Sequence, residues 1–343
     1  METIKSTVQE TSKNPKSRRG WLGFALRAIL TIVILTALIL WLPTDQLWAA
    51  TKSTGINLWG LTIVCVVLFQ IIAVWKWRIL LLASELPVRW LESMRAHTAG
   101  LFANIWLPSI SGGDVVRLGL VVKNKKQLAS AFTGTAADRA NDVVALLLLA
   151  AVGILWLPVI KANLGTRALG FITVLIVSTL LSAPAFLKYV RADWFPQRIA
   201  GAVTALKTAL SSILSRKKTL ILAQSLSLLI QGVFVLLNAV IGQAMGIQIP
   251  LSAWFVAWPL AKLAAMVPVS LGGIGVREAA MAALLAVFYV DPTLSVAQSL
   301  VWESIMLALG LIAGAVSLYL GRILQRKELN RDLDSKITAN NTL

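Results

Sequence analysis

Long apolar runs alternate with short polar, mostly basic stretches along nearly the whole chain. The runs fall near residues 21–42, 56–83, 98–122, 140–160, 168–187, 219–243, 251–290 and 295–320. A helix needs about 20 apolar residues to cross the hydrocarbon of a bilayer, so these runs predict membrane-embedded helices. Two of them are interrupted. Pro108-Ser109-Ile110-Ser111-Gly112-Gly113-Asp114-Val115-Val116-Arg117 breaks the third, and Pro268-Val269-Ser270-Leu271-Gly272-Gly273-Ile274-Gly275-Val276-Arg277 breaks the seventh. Pro, Gly-Gly, Val and Arg stand in register, 160 residues apart, without a gap. Proline and paired glycines end a helix, and an arginine at that depth must face protein or water rather than lipid. Broken segments at corresponding places in two halves are the sequence signature of a binding site on a transport path.

Composition narrows the class. Mean hydropathy of +0.78, 57% hydrophobic residues and 14% charged residues over 343 positions describe a polytopic membrane protein. The net charge of +17 suggests nucleic acid until its distribution is read. Basic residues cluster in alternate loops and at their edges: Lys5 to Arg27, Lys76 to Arg95, Lys123 to Lys126, Lys188 to Lys218 and Arg322 to Lys336. These clusters hold 25 basic residues, against Lys52, Lys161 and Arg167 in the loops between. That asymmetry places both termini in the cytoplasm and makes the charge a matter of topology, with no nucleic-acid partner. The first run follows a basic tail and reads as a retained signal anchor. A single cysteine, Cys65, allows no internal disulfide, and a single histidine, His97, allows no multi-histidine metal site.

The sidedness of the charges also orients the two breaks. Arg95 and Lys123 flank the first broken run, and both belong to cytoplasmic clusters, so that segment enters and returns on one side. Three full crossings then remain in the first half, and the second half starts from the opposite face. The expected fold is an all-α polytopic membrane protein of two inverted-topology repeats, 21–160 and 168–320. It has about six full spans plus two re-entrant broken hairpins. Together they form one transmembrane domain, 21–325, between a basic tail (1–20) and a polar tail (326–343). Eight full spans would leave the termini on the same side. Residues 196–215 place apolar side chains at helical spacing among basic ones, which suits a helix on the cytoplasmic surface or a plain helical loop. The ends, 1–19 and 328–343, have the composition of disordered tails. Thirteen tryptophans, several near run ends (Trp21, Trp41, Trp48, Trp59, Trp156, Trp194), suit an interfacial belt.

Ionisable residues inside a membrane are costly and are functional candidates by default. Here they are Asp114, Arg117, Asp138, Arg139, Asp142, Lys262, Arg277, Glu278 and Glu303. Arg117 and Arg277 each open the half-helix after a Gly-Gly break, where unpaired N–H groups and the helix dipole favour an anion. A guanidinium there suits phosphate, with Gly112, Gly113, Gly272 and Gly273 letting backbone approach closely. The competing reading pairs Asp114 with Arg117, and Arg277 with Glu278 or Glu303, purely to hold helices together. Asp138, Arg139 and Asp142 read best as an ion-pair cluster at a cytoplasmic helix start. Lys262 has no acid nearby in sequence and either snorkels or helps bind an anion. Asn104, Ser109, Ser111 and Ser270 serve either a ligand or the broken backbone. Nucleotide loops, paired metal ligands and nucleophile elbows are absent from the sequence, so no cofactor, metal or enzyme activity is expected.

At these residues the chain resembles the flippase-like membrane family of the lysylphosphatidylglycerol synthase transmembrane region. The resemblance rests on Asn104-Ile105-Trp106-Leu107-Pro108 with Gly112-Gly113-Asp114 and Arg117, on Asp138-Arg139 with Asp142, and on Pro268 to Glu278. It covers roughly residues 20–325. Asp138 stands where the family pattern usually has Glu. The resemblance implies a multi-span protein of the bacterial inner membrane that translocates lipid between leaflets, its partners being lipids with phosphate-bearing headgroups. Related proteins have been linked to phospholipids, polyprenyl-phosphate sugars and hopanoid lipids. In the synthases an aminoacylating domain follows this region. Only a short polar tail follows residue 325 here, so synthase activity is not expected. The rival expectation is a non-catalytic accessory protein supporting a separate lipid- or glycosyl-transferase. Either role allows a homo-oligomer.

Overall fold

The computed structural model describes residues 52, 54–106, 112–124, 127–157, 204, 208, 211–266 and 275–340. The expected runs at 21–42 and 168–187, most of the helix expected at 196–215, the N-terminal tail and Gly272-Gly273 lie outside them. Every regular element among the described residues is a helix: α1 (Gly55–Ala83), α2 (Trp90–Trp106), α3 (Gly112–Val121), α4 (Leu128–Trp156), α5 (Lys217–Ala244), α6 (Leu251–Ala265), α7 (Val276–Ala286) and α8 (Pro292–Asn340). Four are long and apolar enough to cross a membrane: α1, α4, α5 and the Pro292–Arg326 part of α8. Their outward faces carry bare apolar side chains such as Ile56, Leu155, Ile221 and Leu318, each more than two-thirds exposed or nearly so. Lipid is the solvent that suits such a surface.

The two broken runs appear as two pairs of short helices, α2 with α3 and α6 with α7. At 17, 10, 15 and 11 residues, none reaches the length needed to cross alone. The first pair closes glycine against glycine: a Cβ on Gly100 would sit 2.8 Å from the Gly113 carbonyl oxygen. The Asn104 side chain accepts a 2.9 Å hydrogen bond from the Gly113 N–H. The second pair opens α7 at Gly275, whose φ of +86° favours glycine. There the Gly275 N–H donates to Glu278 at 2.5 Å, capping the helix start.

Packing between the halves is reciprocal. Helix α2 lies on α8, where Gly310 and Gly314 let Ile105 and Phe102 come close. Helix α6 lies on α4, where Gly153 admits the Phe255 backbone and Cβ. Each broken segment thus packs on the last long helix of the opposite half, and α1 packs on α5 between them. Among the described residues the core has two parts. One joins α5 through α8 around Phe234, Trp258 and Trp302, with Trp258 and Trp302 edge-to-face at 4.9 Å. The other gathers Trp77, Leu81, Ala96, Val121 and Ala131 from α1 to α4.

Three expectations need correction. Helix α4 begins at Leu128, not near residue 140, so Asp138, Arg139 and Asp142 lie inside the helix rather than at its start. Apart from Leu128 and Phe132, its first turns are Ala, Thr, Ser and Gly, which score low in hydropathy but fit tightly: Gly134 abuts Leu81 and Ser84 of the α1 end. Lys76 belongs to no loop cluster, because α1 continues through it to Ala83 and leaves it 2% exposed. The polar tail is helical through Asn340, in keeping with its Leu, Gln, Arg, Lys and Glu content. Tryptophan use is also divided: Trp77, Trp254, Trp258 and Trp302 are core residues, whereas Trp156 is exposed at the end of α4.

Candidate functional site

Small and aliphatic residues let six helices converge, and the charges they carry meet where the two broken segments approach. A cavity of about 260 Å³ is walled by Asn104, Arg139, Asp142, Lys262, Arg277 and Glu303, together with aliphatic side chains including Leu101, Ile105, Met306 and Leu307. A second, of about 180 Å³, adjoins it and reaches Lys76, His97, Gly113, Asp114, Arg117 and Asp138. The two share Leu101, Asn104, Arg139, Asp142, Gln231 and Lys262 in their walls.

In the second cavity, charges alternate through direct contact. Arg139 grips Asp114 with two hydrogen bonds, Nε at 2.7 Å and Nη2 at 2.8 Å. Arg117 also pairs with Asp114 and reaches Asp138 at 3.6 Å. Lys76 holds Asp138 at 3.0 Å and Asp142 at 2.5 Å. Ser227 of α5 joins by accepting from Lys76 at 2.9 Å and donating to Asp142 at 3.0 Å. Buried charges persist when paired and hydrogen-bonded in this way, because desolvation otherwise outweighs them. Trp77 lies under the Arg117 guanidinium, 4.8 Å from ring centroid to Cζ.

His97 sets a direction in this network. Its Nδ1 lies 3.1 Å from Arg117 Nη1, and its Nε2 lies 3.0 Å from the Gln70 side-chain oxygen. Arginine only donates, so Nδ1 accepts, and Nε2 carries the proton and donates to Gln70. The single histidine is therefore a neutral brace behind Arg117.

The other hairpin arranges its charges differently. Arg277 pairs with Glu278 at 2.9 Å and also with Glu303, and stacks near Trp258. Lys262 Nζ donates to the Gln231 side-chain oxygen at 2.8 Å and lies 5.2 Å from the Phe234 ring centroid. It turns inward to the cavity and does not snorkel outward.

Arg117, Asp114, Gly113, Asn104, Arg139, Lys262, Arg277 and Glu303 therefore share the walls of one connected space, and Glu278 stands behind Arg277. Gly112 starts α3 beside Gly113. Both arginines contact acids, as the ion-pair reading expected, and Asn104 contacts backbone. Sequence reasoning missed Lys76, His97, Gln70 and Gln231. A lysine between Trp75 and Trp77 in an unbroken apolar run was a signal for the first, whereas the polar neighbours of the others belong to distant helices.

The sequence pattern of the lysylphosphatidylglycerol synthase TM region matches residues 28–314. The chain belongs to that family. No curated protein and no solved structure matches it. Membership in the lysylphosphatidylglycerol synthase TM region family makes this a membrane protein related to lipid modification or transport. The match spans both broken segments, so the whole charged space falls inside the family region.

Proposed function

We propose that the chain is a flippase-like transporter, not an enzyme, that moves a phosphate-bearing lipid between leaflets of the bacterial inner membrane. One observation carries this reading: the joined cavities at the meeting of the two broken hairpins are lined by both charged and aliphatic side chains. A lipid headgroup cannot cross hydrocarbon without a polar surface, and its chains need an apolar one. A concave space offering both suits an amphipathic lipid. The reciprocal packing of α2 on α8 and α6 on α4 supports two inverted repeats, with the broken segments as re-entrant hairpins at their junction. On this reading the basic clusters hold both termini in the cytoplasm.

The experiment places purified protein in vesicles carrying tail-labelled phospholipids and follows the access of an external quencher to inner-leaflet label. Wild type should expose inner-leaflet lipid faster than protein-free vesicles. Leu101→Trp, which fills the wall common to both cavities, should slow that exposure while the protein stays folded. Equal rates in wild-type and protein-free vesicles would refute the transport reading.

A further inference from the structure

The two halves distribute charge unequally. Around the first hairpin, three cations (Lys76, Arg117, Arg139) and three carboxylates (Asp114, Asp138, Asp142) are all joined by direct ion pairs. Around the second, two cations and two carboxylates are present, but Arg277 takes both Glu278 and Glu303. Lys262 takes neither: among the described residues no carboxylate oxygen lies within the 4.0 Å of an ion pair from its Nζ. The segments 107–111 and 267–274, next to the hairpin helices, contain no Asp or Glu that would supply one. Lys262 and Glu303 nonetheless line the same 260 Å³ cavity. Among the described residues, the cavity therefore holds a cation with no acid in direct ion-pair contact, Asp142 in the same lining being engaged by Lys76, and an acid that shares Arg277 with Glu278.

Separated charges of this kind are costly in a desolvated space unless something answers both. We propose that this split pair receives a zwitterionic phosphodiester headgroup, with its phosphate at Lys262 and its ammonium at Glu303. The acyl chains then follow the aliphatic side chains of Leu101, Ile105 and Leu307 in the same lining. The inference rests on the lipid-transport reading and narrows it. A net anion would satisfy Lys262 but leave Glu303 sharing Arg277 with Glu278, and would add a negative charge to a second-hairpin set (Lys262, Arg277, Glu278, Glu303) that is balanced without it. A net-neutral headgroup satisfies both ends and leaves the total unchanged.

The test measures binding of short-chain phosphatidylethanolamine, short-chain phosphatidylglycerol and water-soluble glycerophosphoethanolamine to the purified full chain in detergent, by native mass spectrometry. Wild type should prefer the ethanolamine lipid over the glycerol lipid by about tenfold. Glu303→Gln should reverse that preference, and Glu303→Asp, which keeps the charge, should preserve it. Lys262→Gln should weaken both lipids by about tenfold, Lys262→Arg should restore them, and lipid-free Lys262→Gln should melt no lower than wild type. A purely structural lysine would instead lower the melting temperature when removed. The proposal is overturned if wild type favours phosphatidylglycerol or binds neither lipid, if Glu303→Gln keeps the original preference while folded, or if the soluble headgroup binds as tightly as the lipid. Scrambling without headgroup preference would sink this inference and leave the transport reading intact. Preferential binding without scrambling would do the opposite.

Discussion

Lys76→Met is the most informative single perturbation of the fold. The lysine is 2% exposed and is held between Asp138 at 3.0 Å and Asp142 at 2.5 Å, with Ser227 alongside. Methionine fills a similar volume but leaves two buried carboxylates without their cation. Removing one partner of a buried pair costs about 3–5 kcal/mol, or a shift of about 10²–10³-fold or more in the folding equilibrium. Ser227 still donates to Asp142, and Arg117 still reaches Asp138 at 3.6 Å, so the lower part of that range is expected. Removing acids as well should recover stability: Lys76→Met/Asp142→Asn should be less destabilised than Lys76→Met alone, by about 1–3 kcal/mol. The assay is reversible unfolding of the purified protein in mixed micelles, followed by circular dichroism against denaturing-detergent fraction. A cost below about 1 kcal/mol for Lys76→Met would place Lys76 in the class of surface pairs. A double variant as unstable as the single one would refute the reasoning, because it would show that the stranded charge is not the source of the loss.

Three further outcomes follow from the packing. Gly100→Ala should destabilise by about 1–3 kcal/mol and slow lipid movement, because a Cβ there meets the Gly113 carbonyl 2.8 Å away; melting and scrambling assays on one preparation check both. Asn238→Leu should cost about 1–3 kcal/mol in the same unfolding assay, since it strands the buried Gln298 amide that donates to Asn238 at 2.7 Å. Lys123→Ala should cost no more than about 1 kcal/mol, and less at high salt, because its 3.2 Å pair with Glu92 is 65% exposed on the lysine side.

Much of the helical plan is legible in the chain. The apolar run at 56–83 matches α1, 219–243 matches α5, and the two Pro-Gly-Gly breaks separate α2 from α3 and α6 from α7. These signals are local: lipid demands continuous apolar length, and proline and glycine interrupt it without help from distant residues. The start of α4 was not legible. Its opening turns are mostly small residues, and the value of Gly134 lies in approaching Leu81 and Ser84, a contact invisible in hydropathy.

By itself, then, the sequence determined a helical membrane protein, its family, the two breaks and a short set of ionisable residues that lipid would not tolerate. Tertiary structure alone decided which of those residues meet. It set Lys76 of α1 against Asp138 and Asp142 of α4, gave Arg117 the neutral His97 as a neighbour, and left Lys262 facing Gln231 instead of an acid. The reason is physical. Helix position follows from local hydropathy and turn chemistry, whereas the partner of a buried charge is fixed by which distant helices pack together, and a rotation of one helix by a fraction of a turn would change it.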